Sequence, residues 1–145
     1  MAISSAICNS FKQELLVGTH NFTASSGNTF KIALYTSSAS LGASTTAYST
    51  SNEISNTSGS AYTAGGATLT SVTPVLDSST AVCDFADVSF TSASFTANGC
   101  LIYNDTQSDK AVAVIAFGGD KTVSSGTFTI QFPTADASNA IIRLA

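Results

Sequence analysis

Residues 29–36 read TFKIALYT. Along an extended chain Phe30, Ile32 and Leu34 point one way, and Lys31, Ala33 and Tyr35 the other. Successive side chains of a strand alternate between faces, so this period of two reads as a β-strand. The same reading spreads outward from there. KAVAVIAFG (110–118) is apolar on both faces, as a central strand would be. GTFTIQFP (126–133) alternates Phe128, Ile130 and Phe132 with Thr and Gln, and AIIRLA (140–145) alternates around one charge, Arg143. ATLTSVTPVL, TAVCDFA, VSF and FTANGCLIYN read as further strands, being rich in β-branched and aromatic residues. Pro74 has no N–H to give a ladder, which assigns its run to a sheet edge or a bulge. Residues 104–109 and Gly118-Gly119-Asp120 carry turn chemistry. Strands recurring between short polar turns predict an all-β fold, an antiparallel, jelly-roll-like β-sandwich forming a single domain over 1–145.

Two segments break this rhythm. The first predicts one short N-terminal helix over about 11–17. Ser10 and Gln13 fit a capping box, Phe11, Leu15 and Leu16 supply an apolar stripe, and Gly18 supplies the stop. Two turns are marginal alone, so this helix must dock on the body of the domain or on a neighbour. The second segment is 36–66, which is long for a structureless connection. It contains LGASTTAYSTSNEI (41–54), fourteen residues with one charge, Glu53. It reads as an excursion from the sandwich that carries short strands, with AYST (47–50) and AYTA (61–64) each able to pair briefly. Leu41, Tyr48, Ile54 and Tyr62 are its anchors, either to its own body or to a partner. With Phe11, Leu15 and Leu16 they make up the candidate protein–protein contact residues.

Composition narrows the classes of function. Of 145 residues, 43% are hydrophobic and only 10% charged, while 24 are Ser and 20 are Thr. An average globular chain is about 25% charged. Hydroxyls re-pair inside an interface, whereas a buried charge does so at high cost, so this surface suits a protein that is covered by others. The net charge is −4 and the five Lys and Arg are scattered, leaving no basic stripe for nucleic acid. No apolar run approaches the roughly 18 residues of a membrane helix. MAISSAICNSFKQELL has neither the charged start nor the uninterrupted apolar run of a secretory signal, so synthesis in a reducing cytoplasm is expected.

Residues able to do chemistry are few. Cys8, Cys83 and Cys100 are an odd set without CxxC, and read as buried apolar fillers ahead of a Cys83–Cys100 bridge. His20 is the lone histidine and lies in THNF, the exit from the helix. A nucleophilic triad needs a base, a nucleophile beside it and an orienting carboxylate, and no GxSxG is present. Asp84 and Asp87, three apart in CDFAD, have the residue types of a glycosidase pair, but turn capping is the more ordinary role for such a spacing. Asp105 and Asp109 read as hairpin caps, since no DxDxDG spacing accompanies them. GGDK (118–121) lacks the rest of a phosphate loop. Tyr35, Tyr48, Tyr62 and Tyr103 are the aromatic faces that a sugar could stack on, and there is no Trp. No catalytic residue, cofactor or metal site is expected.

NSFKQELLVGTHNF, FKIALYTSSASL, TTAYSTSNEI, YTAGGATLT, DFADVSF, NGCLIYN, AVAVIAFGGDK, GTFTIQFP and AIIRLA, in that order, resemble a group of short virion proteins of tailed bacteriophages, including phages of cyanobacteria. The resemblance covers nearly the whole chain and consists of strand and turn phrases, so it carries over no acting residue. It implies a structural virion component, and within that class a capsid decoration or cement protein. Such a protein binds the outside of the shell of major capsid protein and bridges capsomers. The implied protein is a homo-oligomer, a trimer or dimer at local symmetry axes. NEISNTSGSAYTAGG departs from the group by being slightly longer. A tail- or fibre-associated module that binds a host surface glycan or protein is the second reading. A small carbohydrate-active enzyme using Asp84 and Asp87 is the third.

Overall fold

The computed structural model describes residues 2–55 and 59–145. In chain order the elements are β1 (Ala6–Ile7), α1 (Asn9–Leu16), β2 (Phe30–Tyr35), β3 (Ala67–Thr68), β4 (Ser71–Asp77), β5 (Thr80–Phe85), β6 (Val88–Asn104), a 3-10 turn (Asp105–Gln107), β7 (Lys110–Ile130) and β8 (Ile142–Leu144). They form two antiparallel sheets, β1-β7-β6-β2-β3 and β4-β5-β8. The fold is all-β and sandwich-like with one short helix, as the alternating pattern predicts.

The large sheet is buried on both faces where β2 meets the end of β6 and the start of β7. Residues directly opposite in an antiparallel ladder share a face. Phe30, Ile32 and Leu34 lie opposite Asn104, Ile102 and Cys100, and Lys31, Ala33 and Tyr35 lie opposite Tyr103, Leu101 and Gly99. The first face meets Phe22 and Phe85, with Phe22 stacked on Phe30 at 4.2 Å and 7°. The second is covered by the 36–66 excursion, whose Tyr48 stacks on Tyr103 at 4.7 Å. Ala111 to Val114 are buried, consistent with the central position of β7.

Several local expectations change. VSF and FTANGCLIYN belong to one strand, β6, and KAVAVIAFG and GTFTIQFP to one strand, β7. Gly118-Gly119-Asp120 is therefore no turn between strands. Ala97 pairs with Lys121 and Gly99 with Ala116, so Phe117–Asp120 bulge out opposite Asn98. Gly118 and Gly119 have φ of +76° and +142°, which a side chain would oppose. Asn98 closes the bulge by donating from Nδ2 to Asp120 Oδ1 at 2.9 Å. The ladder resumes beyond it because β6 runs on uninterrupted. Pro74 sits where the β4–β5 register shifts, on an edge strand, matching both positions assigned to it.

The helix runs Asn9–Leu16 rather than about 11–17, and Ser10 does not cap it. Cys8 is the N-cap and offers no side-chain bond, and Ser10 Oγ is buried without a partner. The start is held instead by backbone: Cys8 N–H donates to Val112 O and Asn9 N–H to Ala43 O. Pairing of β1 with β7 thus delivers the chain into the helix and makes the capping box unnecessary. Gly18 ends the helix as expected, at φ +76°, with its N–H on Leu15 O. The buried face is Phe11 and Glu14, with Leu15 beside them, while Leu16 points outward. Leu16 lies five residues beyond Phe11, about 140° around the helix, so it cannot share that face.

Within 36–66 no strand forms among the described residues, only single bridges such as Tyr35 to Glu53 and Ala47 to Lys110. Residues 56–58, within NEISNTSGSAYTAGG, lie outside the described residues. The chain re-enters the sheet at Gly66 with φ +79°, where a Cβ would overlap the Ile32 carbonyl.

Candidate interaction surface

The seven candidate contact residues separate into two groups. Leu41, Tyr48, Ile54 and Tyr62 belong to the excursion and are turned onto this chain's own body. Ile54 and Tyr62 are buried, and Leu41 and Tyr48 pack partly buried against the core. Leu41 is held by backbone bonds with Ala2 and Ser4 and Ile54 by one to Leu34 O, while Glu53 holds the two tyrosines. Its Oε1 accepts from Tyr62 OH at 2.6 Å and from Gly65 N–H at 2.7 Å, and its Oε2 accepts from Tyr48 OH at 2.8 Å. Tyr62 OH also accepts from Leu34 N–H at 2.9 Å, tying the carboxylate to β2. Tyr35 OH donates to Ser49 O at 2.7 Å and Tyr103 OH to Gly65 O at 2.6 Å. All four tyrosines of the chain are therefore engaged. Burial first, and then the neighbouring Glu53, pushes the Tyr48 phenol up to about 12 and that of Tyr62 further. The hydroxyls stay protonated and act as donors.

The residues reviewed for chemistry are structural in their geometry. His20 has a fully buried side chain, with Nε2 3.2 Å from Glu14 Oε2 and Nδ1 3.0 Å from Asn104 Nδ2. An amide nitrogen only donates, so Nδ1 is the acceptor and Nε2–H donates to Glu14. Asn104 gives its other hydrogen to Asn28 Oδ1 at 2.9 Å, and Lys110 Nζ stands 3.7 Å from the same Glu14 oxygen. Desolvation holds His20 below its ordinary 6.5, against the pull of Glu14, so the contact is a hydrogen bond from a neutral imidazole. Phe11 at 4.8 Å and Phe22 and Phe30 at 6.4 Å pack around the ring. No Ser or Cys bonds to it among the described residues.

Neither carboxylate caps a turn as expected: Asp87 Oδ1 accepts from Phe132 N–H, 45 residues on, at 2.9 Å, and Asp84 Oδ1 is buried without a partner. Asp105 pairs with Lys31 at 3.3 Å. All three cysteines are free and buried, so Cys83 and Cys100 are not bridged. Burial pushes Cys83 and Cys100 up to about 12 and Cys8 to about 11, which keeps the thiols unreactive. Among the described residues no three His, Cys, Asp or Glu side chains cluster as a metal site, and no helix is long and apolar enough to cross a membrane.

Of the second group, Phe11 and Leu15 line one wall of an apolar groove, and Leu16 borders only the cleft beyond it. The groove, of about 540 Å³, runs between α1 and the small sheet, with Thr73 and Pro74 opposite and Ala81, Cys83, Ile142 and Leu144 between. It continues past Leu15 and Leu16 into a cleft of about 310 Å³ bordered by Lys12 and Arg143. Phe11 is buried at its base, Leu15 is half-buried, and Leu16 is 89% exposed. The exposed large hydrophobic residues described lie at the end of α1 and on the small sheet: Leu16 in α1 and Val17 just after it, Val72, Val75 (59%) and Leu76 (72%) on β4, and Leu144 (58%) on β8. The register aligns Leu76, Ala81 and Leu144 as one cross-strand row.

A second groove, of about 630 Å³, lies under β7 and is lined by Ile115, Phe117, Phe128, Ile130, Phe132 and Ile141. Its aromatic residues are half-buried and packed on one another, with Phe117 6.1 Å from Phe128.

β4 and β8 were missed as contact elements. SVTPVLD carries an available signal, since Val75 and Leu76 are adjacent and an edge strand can bury only one of its faces. Set against family models, curated proteins and solved structures, the chain matches none of them.

Proposed function

We propose that this chain is a non-enzymatic structural protein of a tailed-phage virion, bound to the outside of the shell of major capsid protein, where it stabilises contacts between capsomers and self-associates. The observation that carries the reading is that the exposed large hydrophobics among the described residues lie at the end of α1 and on the outer strands of the small sheet of a charge-poor sandwich. Exposed apolar side chains concentrated on a few elements mark a contact surface. The resemblance of its strand and turn phrases to short virion proteins, noted from the sequence, points to the same class. Repetition on a symmetric shell multiplies modest affinities, so a shallow apolar patch is sufficient.

The test is copy number in purified particles, followed by heating of particles made without the gene. Hundreds of copies and earlier heat release of the genome are expected. A handful of copies would move the protein to the tail, the second reading. That reading needs exposed aromatic faces for a glycan, and Tyr35, Tyr62 and Tyr103 are buried. Turnover of a glycoside, lost in the Asp84→Asn, Asp87→Asn double variant, would establish the enzyme instead.

A further inference from the structure

We propose that the small sheet continues from one copy of this chain into the next, with residues 75–77 of β4 in one copy lying along the free edge of β8 in its neighbour. β4 and β8 are the two outer strands of the β4-β5-β8 sheet. Among the described residues, no backbone group of Val75–Asp77 or of Ile142–Leu144 bonds outside that sheet. An open edge is a template for another strand. The lengths agree. Pro74 and the register shift between Val72 and Val75 leave β4 three residues beyond the break, and β8 is three residues long.

The side chains are complementary as well. The β4 edge presents Val75 and Leu76, and the β8 side presents Leu144 with Leu16 and Val17 from α1. Joining them covers apolar residues of both sets in one contact. The charges are matched. Lys12 and Arg143 border the cleft beside β8 and bond to Asn9 Oδ1 and Ala137 O, with no carboxylate within 4 Å among the described residues. Asp77 ends β4, with Oδ2 bonded to Ala137 N–H and no cation within 4 Å among the described residues. β4 of one copy would bring Asp77 to the cations of the next.

Two different surfaces meet in such a contact, so it is heterologous, and it closes into a ring or runs on as a filament. This deepens the self-association in the function proposed above and rests on it only for its biological setting. Purified protein tests it without particles, so a monomer in solution removes this contact while the particle experiments judge capsid binding separately.

The experiment is sedimentation velocity of the full chain across micromolar concentrations, beside Leu76→Glu and Leu144→Glu. Both positions are largely exposed, so the folded chain tolerates the change, and circular dichroism verifies it. The wild type is expected to form a ring-sized or longer species, and each variant to weaken association at least tenfold. An equal mixture of the two variants is expected to form a dimer and nothing larger. Each supplies the intact edge that the other lacks, and the remaining edges repel. A monomeric wild type, variants that assemble unchanged, or a mixture that stays monomeric would each overturn the proposal. The third outcome holds whether the cause is a two-fold contact or another surface, because the wild-type pair of edges is present in the mixture.

Discussion

The Glu53 region and the β4–β8 end of the molecule invert what their compositions suggest. LGASTTAYSTSNEI is polar, yet it lies against the large sheet, with its one carboxylate accepting three hydrogen bonds. SVTPVLD and AIIRLA read as ordinary apolar strands, yet Val75, Leu76 and Leu144 are exposed. A polar segment can dock on a core when its groups find partners, even with half of its residues exposed, and an apolar strand stays exposed when it forms the outer edge of a narrow sheet. Stability and recognition are thus separated in space: the excursion holds the fold together, and the small sheet is left open for contact.

The sharpest way to break this comparison is Glu53→Ala. It leaves Tyr48 OH, Tyr62 OH and Gly65 N–H without their acceptor, and the loss is expected to be about 3 kcal/mol, since hydrogen bonds to charged groups contribute about 1.5–3 kcal/mol each and water recovers part. The urea midpoint measures it. An unchanged midpoint would show that the excursion contributes nothing to the body. Tyr62→Phe removes only the hydroxyl that links Leu34 N–H to Glu53, and should cost about 2 kcal/mol in the same assay.

A smaller effect comes from pH. His20 sits below its ordinary 6.5 in the folded chain, so the unfolded chain takes up its proton first as pH falls. Its contribution is complete above about pH 6.5 and declines below that, because protonation would set Nδ1–H against the Asn104 amide, donor to donor. Glu14 and Lys110 are the charged groups that face the imidazole, and they oppose each other in effect. The slope of stability against pH between 7 and 5 should flatten in His20→Gln, and an unchanged slope would remove His20 from the account. The smallest effect belongs to the other region. Leu76→Ser and Leu16→Ser should each shift the unfolding free energy of dilute protein by under about 0.5 kcal/mol, as exposed positions do. A larger loss would mean that these residues are part of the core.

The layers of the fold were legible because period-two alternation states which side of a strand is apolar, as at Phe30, Ile32 and Leu34. The helix was legible in place but not in facing. Glu14 turns inward because His20 and Lys110 wait for it, and no local pattern within 9–16 announces partners at 20 and 110. Gly118-Gly119-Asp120 has the residues of a turn and is a bulge, since only the partner strand β6 decides whether the ladder resumes. Of the candidate contacts, Leu16 is exposed as a contact residue should be. Tyr48 and Tyr62 are spent within the chain because their hydroxyls reach Glu53, five and nine residues away in sequence.

By itself the sequence determined that this chain forms strands with one short helix, carries its polarity on hydroxyls, and keeps its three thiols apart from any metal or redox motif, because these follow from local period, composition and spacing. Only the tertiary structure decided which apolar residues face water, where Glu53 and His20 find their partners, and that β4 and β8 end the smaller sheet. Those outcomes depend on which segments become neighbours, and long-range pairing is a property of the whole packed chain rather than of any stretch within it.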